Sequence, residues 1–198
     1  MKLSSERYEE IKKTIAEFLE DYDVKELPID VFELARKMRI KLVYATDLMR
    51  KHPNKLDEYF IYSYPHSYVY YDPATLVFIV YIDDLSCYEN RQKFSLAHEI
   101  MHILLGHTEQ NEVNETEANY GATYLLAPTS LALLWAEKGF LLDPIIIKSV
   151  FDVSAPVADI VARYNLNRLT YCDLNEKDYE KKINKLLKDS LVKRICES

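Results

Sequence analysis

The chain has 198 residues, 48% of them hydrophobic and 29% charged, and a net charge of −7. That length and composition predict one globular domain with a small appendage, whose core needs no disulfides. An acidic chain lacks the clustered positive field that grips phosphates, and no Gly-rich phosphate loop occurs among its three glycines, so direct nucleic-acid or nucleotide binding is not expected.

The opening stretch, MKLSSERYEEIKK, has no apolar core of the signal-peptide kind. The longest apolar runs are far shorter than a membrane span. Cys87, Cys172 and Cys196 are odd in number, widely spaced and form no C-x-x-C, which fits free thiols in a reducing compartment. The expectation is a cytoplasmic protein.

Ser4 to Tyr22 has helix spacing, with Ile11, Ile15, Phe18 and Leu19 on one face and Ser4 or Ser5 as cap. Asp30 is placed to cap a second short helix that buries Val31, Leu34, Ala35 and Met38. Lys41 to Tyr44 reads as a strand, and Thr46 to Asn54 as a loop or short helical turn. Tyr59 to Tyr64 and Tyr68 to Tyr71 are rich in aromatic residues, as strands are. Leu76 to Ile82, after the turn signal Asp72-Pro73, is the most hydrophobic strand. If it lies at the edge of a cleft, an extended substrate pairs with it. Sixteen tyrosines are many for this length, and most read as half-exposed strand residues with the hydroxyl in water.

Phe94 to Gly106 reads FSLAHEIMHILLG. This helix starts near Tyr88 to Arg91 and ends at Gly106, a natural helix-terminating residue. It is apolar nearly all round, so it is a core helix. His98, Glu99 and His102 spell H-E-x-x-H inside it. At 3.6 residues per turn the two histidines stand about 40° apart on one face. Two imidazoles so placed hold one zinc ion, and Glu99 is beside them to work on a metal-bound water. Polar groups in so apolar a helix need a partner, and a metal is one.

A catalytic zinc takes three protein ligands and keeps a fourth position open. The scheme H-E-x-x-H-x-x-G-x-x-H fails, because Leu105 and Thr108 occupy its glycine and third histidine positions. His107 is one residue off and reads as a surface residue. The remaining candidates are Glu112, Glu115 and Glu117 in the next helix, whose cap is Asn114 or Thr116. Glu117 is the choice, since the small Ala118 and Ala122 after it permit close helix approach. Glu115 is the fallback.

Further helices are expected over Ser130 to Lys138, Pro144 to Val150 and Ala155 to Tyr164, then a lysine-rich amphipathic one over Glu176 to Cys196. Residues 144–164 have a helix–turn–helix rhythm, but the net charge is wrong for DNA and packing explains them.

The segments Arg91-Gln92-Lys93-Phe94-Ser95-Leu96-Ala97-His98-Glu99-Ile100-Met101-His102 and Glu117-Ala118-Asn119-Tyr120-Gly121-Ala122-Thr123-Tyr124-Leu125-Leu126-Ala127-Pro128 together resemble the two motifs of the ImmA/IrrE-type metallopeptidases. Phe151-Asp152-Val153-Ser154, with Ala158 and Arg163, is similar to that family's following segment. The resemblance spans roughly residues 6–170. Gly121 departs from it, standing where the family has phenylalanine; Tyr120 or Tyr124 is expected to fill the space.

The resemblance implies an α+β, zincin-like fold of the gluzincin kind: a small, mostly antiparallel sheet of about three strands on the motif helix, then a mainly helical C-terminal half. It divides the chain into a peptidase domain, 1–170, and a C-terminal helical extension, 171–198. It implies one Zn²⁺ on His98, His102 and Glu117, Glu99 as general base, and cleavage of a helix-turn-helix repressor or regulator, as in anti-repressors of mobile genetic elements. The alternative is a binding module, anti-repressor or toxin-like, that uses its zinc only structurally.

Overall fold

Helix α1 (Ser5–Asp21) begins where the Ser4 hydroxyl accepts the Arg7 N–H at 3.2 Å, and it buries Ile11, Ile15, Ala16, Phe18 and Leu19. Helix α2 (Val31–Lys37) starts at Asp30, whose Oδ1 accepts the N–H groups of Phe32 and Glu33, both at 3.0 Å. Both caps are those legible in the sequence. The computed structural model describes residues 2–51, 67–85, 88–137, 143–171 and 175–197. The expected strand Tyr59 to Tyr64 lies outside the described residues, as do Cys87, Gly139 and Cys172.

Strand β1 (Lys41–Tyr44) leads into the short helix α3 (Ala45–Lys51), where a loop or short helical turn was expected. Strands β2 (Ser67–Asp72) and β3 (Val77–Ile82) follow, joined by a tight turn in which Leu76 takes φ 56°. The sheet order is β1-β3-β2. It is mixed: β1 runs parallel to β3, Leu42 opposite Val80, and β2 runs antiparallel to it, Val69 opposite Val80. The protein is thus α+β, with three strands in the sheet among the described residues and a mainly helical C-terminal half.

This order corrects one expectation. The apolar strand β3 is central, with both edges occupied by strands. Its near-continuous hydrophobicity reflects burial at the middle of the sheet, Val80 and Ile82 being fully buried. Among the described residues the outer strands of the sheet are β1 and β2. Tyr68 of β2 stacks on Tyr81 of β3 at 4.5 Å, while Tyr70 and Tyr71 are exposed.

Helix α4 (Glu89–Leu104) carries the H-E-x-x-H motif and packs on the sheet, on α2 and on helix α5 (Glu112–Leu126). Gly106 ends the α4 turn with φ 68°. Asn111 caps α5, its side chain accepting the Asn114 N–H at 2.9 Å, one turn earlier than the expected cap. At Gly121 the two helices touch: a Cβ there would lie 2.6 Å from Met101 Cε and 2.9 Å from its Cγ. Met101, not a tyrosine of α5, fills that space.

A 3₁₀ turn (Thr129–Leu131) and helices α6 (Ala132–Glu137), α7 (Pro144–Phe151), α8 (Ala155–Tyr171) and α9 (Asp178–Glu197) complete the chain. Helix α8 runs a further two turns beyond the expected Tyr164. Helix α9 lies along α1 and contributes Ile183, Leu187, Leu191 and Ile195 to the common core. Its cations face acids of α1, as in Lys182 to Glu20 at 2.6 Å. No helix among the described residues is long and apolar enough to cross a membrane.

Candidate metal centre

Helix α4 turns His98 and His102 toward one cavity of about 110 Å³, whose lining includes Ser67, Val69, Glu99, His107 and Glu115. The spacing of four residues does this by itself, since both imidazoles then share one face. Their Nε2 atoms stand 3.0 Å apart. Glu115, near the start of α5, closes the group: its Oε2 is 3.3 Å from His98 Nε2 and its Oε1 3.5 Å from His102 Nε2.

Three donor groups are thus gathered with their ligand atoms within 4.8 Å of one another. Zinc–nitrogen bonds of about 2.0–2.1 Å in a tetrahedron set ligand atoms roughly 3.3 Å apart, and the separations here, 3.0 to 3.5 Å, match that edge. Protonation agrees. Burial pushes the His98 and His102 pKa values down to about 4, so near pH 7 both rings are neutral and offer lone pairs. Two imidazoles and one carboxylate are a donor set that suits zinc. The residues fit the ion.

Glu117 is elsewhere. Two residues along a helix is a rotation of about 200°, so Glu115 and Glu117 face opposite ways from α5. Glu117 is buried against α1, where Arg7 Nε donates to its Oε1 at 2.7 Å and Arg7 Nη2 to its Oε2 at 2.5 Å. The guanidinium holds its pKa below the ordinary carboxylate value. Of the expected ligands the structure brings His98 and His102 together, sets Glu115 with them and places Glu117 behind them.

Glu99 is 3% exposed and points back from the histidine face toward β2. Ser67 Oγ donates to its Oε1 at 2.7 Å, and the Val69 backbone N–H also hydrogen-bonds its carboxylate. Burial, with Glu115 nearby, pushes its pKa up to about 7. No lysine or arginine pairs with it among the described residues. A carboxyl poised near neutrality at the rim of a donor triangle is equipped to take up and give back a proton.

Two site residues escaped the sequence. Ser67 was hidden because nothing local marks a serine at the start of a strand. His107 was set aside as a surface residue, yet its side chain is only 6% exposed and lies between His102 and Glu117. Its signal was its position immediately after the helix-ending Gly106, where the chain turns back over α4. Tyr120 and Tyr124 do not line the cavity; Tyr120 packs on Tyr8 and Tyr164, and Tyr124 is buried in the core.

Residues 63–160 match the IrrE N-terminal-like domain, a peptidase family. That segment includes β2, β3, α4 and α5, and so both motifs and every residue of the donor group. It is the metallopeptidase family that the sequence resembles. No curated protein matches the chain.

Proposed function

We propose that the protein is a zinc-dependent endopeptidase in which His98, His102 and Glu115 hold the ion and Glu99 is the general base. The observation that carries this is the donor triangle of 3.0 to 3.5 Å edges beside a buried glutamate without a cationic partner among the described residues. Glu115 replaces Glu117 as third ligand, because the arginine fork on Glu117 occupies both its oxygens.

Bound zinc supplies Lewis acidity: it acidifies a water and polarises the scissile carbonyl. The chain's residues do the rest. Glu99, held by the Ser67 hydroxyl, accepts a proton from the attacking water and returns it to the leaving amine. The β2 edge, with Val69 at the cavity, receives an extended peptide by strand addition and sets the scissile bond across the donor triangle. A peptidase implies a protein substrate; a helix-turn-helix repressor or regulator in the cytoplasm is the substrate proposed, on the family resemblance.

Two measurements test this. Zinc titration against a chelator should show Glu115→Ala losing the ion by more than about a hundredfold, beyond the range of outer-shell substitutions; loss confined to Glu117→Ala would return the third ligand to Glu117. Incubation with a helix-turn-helix regulator, with and without chelator, should shorten the regulator only when zinc is present. A regulator bound yet intact by mass would make the protein a binding module.

A further inference from the structure

His107 and Glu117 lie outside the donor triangle but connect to it. His107 Nδ1 is 2.9 Å from His102 Nδ1, and His107 Nε2 is 3.0 Å from Glu117 Oε2. Both side chains are 6% exposed. Glu117 in turn takes two N–H groups of Arg7, one on each oxygen. We propose that Arg7, Glu117 and His107 are positioning residues for the metal centre, a relay that fixes His102 in the tautomer whose Nε2 lone pair faces the ion. This rests on the metallopeptidase reading above.

The direction of every link follows from what each group can donate. Arginine has no acceptor, so both Glu117 oxygens accept from it. The contact of Oε2 with His107 Nε2 then runs from the histidine N–H to the carboxylate. A neutral imidazole with its proton on Nε2 accepts at Nδ1. His102 Nδ1 is therefore the donor of the next link, and its Nε2 keeps a free lone pair. That Nε2 is the atom 3.0 Å from His98 and 3.5 Å from Glu115. The chain of bonds orients the ring as well as choosing its tautomer. Partners of this kind raise a ligand's basicity and hold its plane.

The relay also crosses the fold. His107 follows the end of α4, Glu117 is on α5, and Arg7 comes from α1, 110 positions away from Glu117. Arg7 lies outside the matched segment 63–160. The N-terminal helix is thus part of the support of the metal centre and not only a cover for the core. His98 has a different partner, the Asn119 side chain on α5, so the two ligand histidines are held independently and only His102 depends on α1.

The test is zinc affinity of the full chain by chelator competition, read with the ring-nitrogen NMR signals of His102. Wild type should bind zinc with His102 protonated at Nδ1. His107→Phe should weaken zinc by about 10–100-fold, and His107→Asn, whose amide oxygen stands near the place of Nδ1, should recover most of the loss. Arg7→Ala should weaken zinc about tenfold and show His102 signals of mixed tautomers, with Arg7→Lys between it and wild type. Affinities within twofold of wild type in His107→Phe and Arg7→Ala, with an unchanged His102 tautomer, would overturn the relay. Wild-type protein that takes up no zinc would instead overturn the metallopeptidase reading. Should His107→Phe fail to fold, Arg7→Ala and Arg7→Lys decide by the same numbers.

Discussion

Two regions of the molecule each bury a glutamate, and they dispose of its charge in opposite ways. At the α8–α9 junction Glu180 is fully buried, and Arg168 meets it with Nη1 at 2.5 Å and Nη2 at 2.9 Å; the Lys177 N–H adds a third bond at 2.9 Å. At the candidate metal centre Glu99 is almost as deep, but its partners are a hydroxyl and a backbone N–H, and the charge acting on it is the like-signed Glu115. The first arrangement fixes a carboxylate. The second leaves one whose proton is easily gained or lost, at a cost in stability that a purely structural residue would have no reason to carry.

Substituting each acid in turn separates the two. Glu99→Gln keeps the shape and removes the proposed base. Peptide cleavage should fall by about 10²–10⁴-fold, the range for losing a general base, while zinc affinity stays near wild type. Retained cleavage would remove Glu99 from its role. Glu180→Ala should do the reverse. It strands Arg168 without its partner, and breaking a buried pair costs about 3–5 kcal/mol. Urea unfolding should show that loss, with zinc affinity unchanged in protein that is still folded. A loss of zinc in folded Glu180→Ala would mean that the two regions are not independent.

How much of this contrast was visible in the sequence differs between the two ends of the site. The motif helix, its stop at Gly106, the Ser4 and Asp30 caps and the individual strands β1, β2 and β3 are local patterns, and they appear close to where the sequence pattern puts them. The choice between Glu115 and Glu117 was not local. Both stand on α5, and which faces the histidines depends on how α5 is rotated against α4. Glu117 meets Arg7, which the sequence places 110 residues earlier. The central position of β3 was equally non-local, because hydrophobicity marks burial but not which neighbour supplies it.

A pH experiment on metal-free protein sharpens the comparison further. The Glu99 pKa, pushed up from 4.5 to about 7, means that the folded state holds a proton which the unfolded chain has released across that window. Stability from this group is whole below about pH 4.5 and is lost as the pH rises through 7. Glu99→Gln does not titrate, so with chelator present its stability relative to wild type should rise between pH 4.5 and 8, by up to about 3 kcal/mol. A difference that does not change with pH would show that Glu99 is not held in the protonation balance described here.

The smallest effect expected is at Ser67, and it asks how much the hydroxyl contributes to holding the base. Ser67 Oγ donates to Glu99 Oε1 at 2.7 Å and favours the ionised form. Ser67→Ala removes that bond without opening a large void, so a loss of about 1 kcal/mol is expected, on the order of tenfold in cleavage. The same change should push the Glu99 pKa higher, because the bond that lowered it is gone while the burial remains. The cleavage–pH profile should therefore lose its acid-side half first, its rising limb moving to higher pH while zinc affinity holds. An unshifted limb would mean that the Val69 N–H alone sets the carboxyl, and that Ser67 is a strand residue which merely ends beside it.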